Sequence, residues 1–96
     1  MAKGYLIAQV TITNADAYAL YAKEAGALLK QYRAKVIVKP ETAIVKEGNP
    51  KSRTVIFEFE SFKSVQEFWG SSEYERAKAL RYGAAEADFI LIEGTD

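Results

Sequence analysis

The sequence predicts an α+β domain: a four-stranded antiparallel sheet with two helices on one face, in the order β-α-β-β-α-β. Three observations carry this reading. Four segments alternate apolar and polar residues at the period of a strand. Two other segments repeat apolar residues at the period of a helix. Each helical segment lies between two strands, and one strand-to-strand passage joins the two halves.

Residues 4–12, GYLIAQVTI, form the first strand, with Leu6, Ala8, Val10 and Ile12 on one face and Tyr5, Ile7, Gln9 and Thr11 on the other. Asn14 is placed to cap the first helix, and Asp16 puts negative charge in its first turn, where the helix dipole favours it. That helix runs to about Tyr32. Tyr18, Ala22, Ala25, Leu29 and Tyr32 form its buried stripe, with Tyr21 off-centre towards a rim. Residues 34–39, AKVIVK, form the second strand, with Val36 and Val38 opposite Lys35, Ile37 and Lys39. Pro40 lacks an N–H and interrupts the ladder, so residues 43–46 read as a separate extension or hairpin arm. The segment Glu47-Gly48-Asn49-Pro50 reads as a turn.

Residues 53–60, RTVIFEFE, form the third strand, with Val55, Phe57 and Phe59 opposite Thr54, Ile56 and Glu58. Ser61 is placed to cap a short helix that carries Val65, Phe68 and Trp69 and breaks at Gly70. Ser72 and Glu75 then have the spacing of a capping box for a second helical piece with Tyr74, Ala77 and Leu80, which Gly83 terminates. Residues 88–93, DFILIE, form the fourth strand.

Length and composition exclude several function classes. Ninety-six residues make a single domain over 1–96. At 49% hydrophobic the chain should fold rather than stay disordered. Thirteen basic side chains balance thirteen acidic ones, which argues against a general nucleic-acid or anionic-membrane binder. There is no cysteine, so disulfides, thiol nucleophiles and thiolate metal sites are excluded; there is no histidine, which removes the commonest general base and metal ligand. No metal, haem or nucleotide cofactor is expected. The N-terminal residues lack the pattern of a signal peptide, no apolar run is long enough to span a bilayer, and the expected location is cytoplasmic.

The face away from the helices would present Tyr5, Ile7, Gln9, Ile37, Ile56 and part of the fourth strand. An apolar patch of that extent marks an interface, and a chain this short has a thin core as a monomer. The pattern predicts a homodimer that packs two open faces together. Glu58, with Lys35 and Lys39, is the polar group expected there. Flanked by Phe57 and Phe59, Glu58 is the candidate catalytic residue, a carboxyl that desolvation would raise towards neutral pH; its other reading is a structural ion pair. Tyr18 is either core or a phenol that enters a pocket. Trp69 is either a cover for the sheet edge or an apolar wall for a planar ligand. Ser72 is a cap rather than a nucleophile, since no histidine can activate it. Tyr74 and Arg81 share a helix face, and Arg81 suits either a ligand carboxylate or a salt bridge to Glu73, Glu75 or an acid of a partner chain. Lys39 is a weaker member because Pro40 can turn it away.

The chain also carries an ordered set of residues: Gly4-Tyr5, Tyr18-x-x-Tyr21, Glu58-Phe59-x-Ser61, Trp69, Ser72-x-Tyr74, Arg81 and Glu93-Gly94. In this set, from Gly4 to Gly94, it resembles the family named domain of unknown function 1330. That family is similar to the dimeric α+β barrel superfamily, which also holds cofactor-free monooxygenases, muconolactone-isomerase-like proteins and haem enzymes. The resemblance implies a ferredoxin-like protomer and a homodimer sealed sheet to sheet, and it implies no established activity. Two departures stand out. Arg33-Ala34 occupies the place of a Gly-Gly pair after the first helix, and Lys39-Pro40-Glu41 the place of Arg-Gly-Gly after the second strand. A ligand-cradling role for that second loop is therefore in doubt, and without histidine the haem branch is not expected.

Three functions follow as expectations. The first is a small-molecule-binding homodimer with a pocket between sheet and helices bounded by Tyr18, Glu58, Trp69, Tyr74 and Arg81, open to cofactor-independent acid–base or oxygenase-type chemistry. The second is a structural or regulatory dimer without catalysis. The third, an RNA-binding module, is disfavoured: the third strand offers Thr54, Ile56 and Glu58 to the open face instead of aromatics, and the net charge is zero.

Overall fold

The computed structural model describes residues 2–95. Its elements are β1 (Gly4–Ile12), α1 (Ala15–Gln31), β2 (Lys35–Val36), a 3₁₀ turn (Pro40–Thr42), β3 (Arg53–Phe59), α2 (Phe62–Gly70), α3 (Ser72–Ala79) and β4 (Ala85–Glu93). The strands form one antiparallel sheet in the order β2-β3-β1-β4. The predicted α+β plan holds, with the second helical region split into α2 and α3.

Alternation along the strands sets which residues face the helices. In the register Leu6 sits between Phe57 and Leu91, and Ala8 between Val55 and Phe89. These face the helices, and Leu6, Ala8, Val10, Val55 and Phe59 are buried. One residue along, Ile7 lies between Ile56 and Ile90, and Tyr5 between Glu58 and Ile92. This second set forms the open face, where Ile90 and Ile92 remain about half exposed. The molecule is only 17 Å across its thinnest dimension, room for one sheet and one helix layer.

The core is an aromatic cluster between the sheet and the α2–α3 pair. The Phe68 ring lies 5.3 Å from Phe59, 4.8 Å from Tyr74 and 5.6 Å from Tyr32. Val65, Phe68 and Tyr74 are essentially without solvent exposure. Gly4 sits where β1 passes the start of α2: a Cβ there would stand 2.7 Å from the Phe62 Cα and closer still to the Ser61 carbonyl oxygen.

Caps set the helix limits. The Asn14 side chain accepts from the Ala17 N–H, and Ser61 from the Ser64 N–H, as the sequence predicts. The predicted capping box of Ser72 and Glu75 is displaced by one residue. Ser71 is the N-cap of α3: its Oγ accepts from the Tyr74 N–H and donates to the Phe68 carbonyl, so one hydroxyl closes α2 and opens α3. Ser72 falls inside the first turn and is exposed.

The end of α1 is unusual. Arg33 has φ +60°, the left-handed conformation that glycine adopts freely. Its N–H donates to the Lys30 carbonyl and that of Ala34 to the Leu29 carbonyl, the pair of bonds of a Schellman motif. The chain thus makes the turn that a Gly-Gly pair would make, with an arginine in the strained position.

The other strand limits also move. β2 is two residues long rather than six, because Pro40 and the 3₁₀ turn draw the chain off the sheet edge; the Ile37 N–H still bonds the Ile56 carbonyl. β4 begins at Ala85, three residues before the predicted start. Ala85, Glu86, Ala87 and Asp88 alternate apolar and polar, but alanine, glutamate and aspartate are weak strand formers; the long β1 partner pairs Glu86 and Ala87 with Thr11 and Val10. Residues 43–46 are exposed and lie outside the strands, with Ile44 and Val45 uncovered.

Candidate functional site

Between α1 and the sheet lies a cavity of about 330 Å³. It exists because α1 presents small residues there. Ala22, Ala25 and Gly26 face the sheet across the gap, and a Cβ on Gly26 would meet nothing within 4 Å. Leu6, Ala8, Val10, Val55 and Phe57 form the floor, and Leu29, Val36 and Pro40 close one side. Tyr18, Tyr21, Phe68, Phe89 and Arg53 complete the wall. Arg53 is the one charged residue among these described wall residues, and no carboxylate lines the cavity.

The polar groups gather at the end where β1 finishes and β3 and β4 begin. The Tyr21 and Tyr74 hydroxyls are 2.9 Å apart and buried. Burial, together with the neighbouring Tyr74 phenol, holds the Tyr21 phenol far above the ordinary tyrosine range. The Tyr18 ring packs at 5.3 Å from Tyr21, tilted by 52°. Burial raises its phenol too, against the opposing pull of the Arg81 and Arg53 charges. Arg81 lies with its guanidinium carbon 4.3 Å from the Phe89 ring centre and 5.5 Å from that of Tyr21. Its Nε is buried without a hydrogen-bond partner. Trp69 packs 4.9 Å from Tyr74 and 5.3 Å from Phe89, with the Lys78 ammonium 5.0 Å above its ring.

Of the predicted site residues, Tyr18 alone lines the cavity; Tyr74 and Arg81 pack against the wall residue Tyr21, and Trp69 and Arg81 against Phe89, from outside the cavity. Glu58 and Lys39 lie elsewhere. Glu58 is on the opposite face of the sheet, across from Lys35 and accepting from the Tyr5 hydroxyl at 3.4 Å. Strand alternation requires this, since Phe57 and Phe59 take the helix side. Lys39 is exposed ahead of the 3₁₀ turn, and it is Pro40 that reaches the cavity wall. The other wall residues lie outside the predicted set, Tyr21, Arg53 and Phe89 among them. Tyr21 is buried while Tyr18 holds the rim, the reverse of the sequence expectation, because α3 packs against α1 and brings Tyr74 onto Tyr21. Arg53 carried a legible signal: it shares the parity of Val55 and Phe57 along β3.

The buried phenol pair makes stability pH-dependent at the alkaline end. Tyr21 stays neutral in the folded chain at a pH where an unfolded tyrosine, with its ordinary value near 10, has lost its proton. The unfolded state then binds fewer protons, so the stabilisation is complete below about pH 10 and falls as pH rises through it. Urea midpoints are expected to drop between about pH 8 and pH 11. Tyr74→Phe alone strands the Tyr21 hydroxyl and is expected to cost about 1–3 kcal/mol. The double variant Tyr21→Phe/Tyr74→Phe is expected to be close to wild type at pH 8 and to lose less stability at high pH.

Among the described residues no helix is long and apolar enough to cross a membrane, and no three acidic side chains converge as metal ligands would. No curated protein matches the chain. Solved structures with the same fold include a protein of unknown function from Rhodopseudomonas palustris, at 17% identity and TM-score 0.70, covering 99% of this chain and 84% of that one. SnoaB, a cofactor-independent oxygenase from Streptomyces nogalater, matches at 8% identity and TM-score 0.67, covering 100% of this chain and 96% of that one. A dimeric protein of unknown function with a ferredoxin-like fold from Bacteroides fragilis matches at 11% identity and TM-score 0.61, covering 95% of each chain. The family model described as "Domain of unknown function (DUF1330)" matches residues 3–95. With that match running over nearly its whole length, and with the ferredoxin-like sheet that its ordered residues predicted, the chain belongs to the DUF1330 family.

Proposed function

We propose that the chain is a small-molecule-binding protein that works as a homodimer, two protomers closing over their open sheet faces, with the ligand held between α1 and the sheet. The cavity carries this reading. A fold that leaves about 330 Å³ open beside its core forgoes packing that larger side chains would supply, and the space is lined mostly by apolar groups with a few polar ones at one end. The fold it shares with the SnoaB oxygenase is compatible with cofactor-independent chemistry. Binding is nevertheless the better-supported half of the proposal. The cavity wall holds no carboxylate or histidine base, and burial keeps the Tyr18 and Tyr21 phenols protonated.

The dimer follows from the stripe of Ile37, Ile56, Ile7, Ile90 and Ile92 across the uncovered face of a two-layer molecule, and from the dimeric relative of the same fold. In this arrangement Glu58, Lys35 and Tyr5 form a polar group within the interface, and a catalytic Glu58 would act on a substrate held there rather than in the cavity. Native mass spectrometry is expected to give twice the chain mass for the wild type, and the single-chain mass for Ile90→Glu with its far-ultraviolet circular dichroism retained. A monomeric wild type would overturn the assembly.

A further inference from the structure

The wall of the cavity limits the charge of what it can hold. Thirteen of its sixteen residues carry no polar side-chain atom; the other three are Tyr18, Tyr21 and Arg53. The Tyr21 hydroxyl is already engaged with that of Tyr74 at 2.9 Å. Burial favours the neutral form of both the Tyr18 and the Tyr21 phenols, so neither brings a charge. The single charge, on Arg53, is exposed to water, whereas the floor residues Leu6, Ala8, Val10 and Val55 are buried. An ion pair made at an exposed guanidinium contributes little. An ion taken down to the floor would lose its hydration against hydrocarbon and find no counter-charge there. The way in has the same character. Ala22 and Gly26 on α1 are exposed, and so is Val36 on β2, so the mouth is apolar apart from Arg53.

We propose that the guest is an uncharged, largely apolar molecule of single-ring size, seated between Ala22, Ala25 and Gly26 of α1 and Leu6, Ala8 and Val55 of the sheet. Volume sets the size. At about 30 Å³ for each water-sized group, the cavity holds roughly ten heavy atoms, a single ring with a short substituent. Shape and surface agree with a ring. Small residues on the helix side leave a slot against the sheet, and Phe57, Phe68 and Phe89 on its wall offer aromatic contacts. This inference rests on the cavity being the binding site, and it adds the charge and the size of what enters.

The test uses the full chain and three single-ring compounds of nearly the same size: acetophenone, benzoate and 1-phenylethylammonium. They differ in charge at neutral pH. Each is titrated while NMR follows the backbone amides of Leu6 on the floor and Ala25 on α1, both buried at the cavity. Acetophenone is expected to shift both amides saturably, and each ion to bind at least about tenfold more weakly. 2-Acetylnaphthalene, which adds a second ring, is also expected to bind at least about tenfold more weakly than acetophenone. Arg53→Met is expected to leave acetophenone binding unchanged. Gly26→Leu and Ala22→Leu, at exposed positions on α1, fill the slot and are each expected to weaken acetophenone by about tenfold or more. Either ion binding as tightly as acetophenone, or loss of acetophenone binding in Arg53→Met, would overturn the uncharged assignment while the cavity reading stands. Equal binding of the two-ring ketone would overturn the size limit in the same way. No saturable shift with any of the four compounds, or acetophenone binding untouched by both α1 variants, would overturn the cavity reading as well.

Discussion

Phe68→Ala is expected to remove about 3–5 kcal/mol of stability. A chain of this length has only about 5–15 kcal/mol in total, so the variant loses about a fifth or more of what holds it folded. Phe68 is the hub of the aromatic cluster: it touches Phe59 from β3, Tyr32 from the end of α1 and Tyr74 from α3. Its own helix supplies the fourth side, so truncation opens a void that four elements would have to move to fill. Rigid walls of this kind collapse poorly, which places the cost at the upper end of the range. Urea denaturation at one fixed protein concentration, needed because a dimer's stability depends on concentration, measures the effect. A loss below about 1.5 kcal/mol would mean that the cluster repacks.

Gly4→Ala is expected to cost about 3 kcal/mol, for a different reason. Nothing is removed; one methyl is added where backbone already stands. The new Cβ would meet the Ser61 carbonyl and the Phe62 Cα, which cannot rotate away as a side-chain tip would. Gly4 also pairs with Phe59 on one side and Glu93 on the other, so β1 cannot shift without breaking both ladders. Overpacking typically costs about 1–3 kcal/mol, and a clash against backbone on a central strand belongs at the top of that range. The melting temperature is expected to fall by roughly 12–24 °C, at about 4–8 °C per kcal/mol for a domain of this size. A fall of a degree or two would show that α2 slides freely along the strand.

The strands were legible because alternation at a period of two can be satisfied in one way once a face is buried. Leu6, Ala8 and Val10 match Val55 and Phe57 residue for residue, and the open face follows by parity. What failed to show in the sequence was set by neighbours. The first three residues of β4, Ala85, Glu86 and Ala87, are weak strand formers and are strand because β1 is long enough to pair them. Ser71 and Ser72 are equal candidates for a cap until the position of Phe68's carbonyl is known, and that carbonyl selects Ser71. The site was legible in part. Tyr18 lines the cavity, while Trp69, Tyr74 and Arg81 pack behind its wall residues Tyr21 and Phe89. Which of Tyr18 and Tyr21 is buried depends on the angle at which α3 meets α1, and no helical stripe encodes that angle. Glu58 was separated from the cavity by the same parity rule that located the sheet faces.

The small residues of α1 have a consequence for how such a protein can change over generations. Stability resides in Phe59, Val65, Phe68 and Tyr74, while the volume open to a guest is set by Ala22, Ala25 and Gly26 on a different element. Enlarging Gly26, where a Cβ would meet nothing within 4 Å, would tend to make the fold more stable, since filled space and a helical alanine in place of glycine are both favourable. Drift alone would therefore close the gap. A lineage that keeps it open is one in which the guest matters, and one in which a single substitution on α1 suffices to admit a different guest without disturbing the sheet.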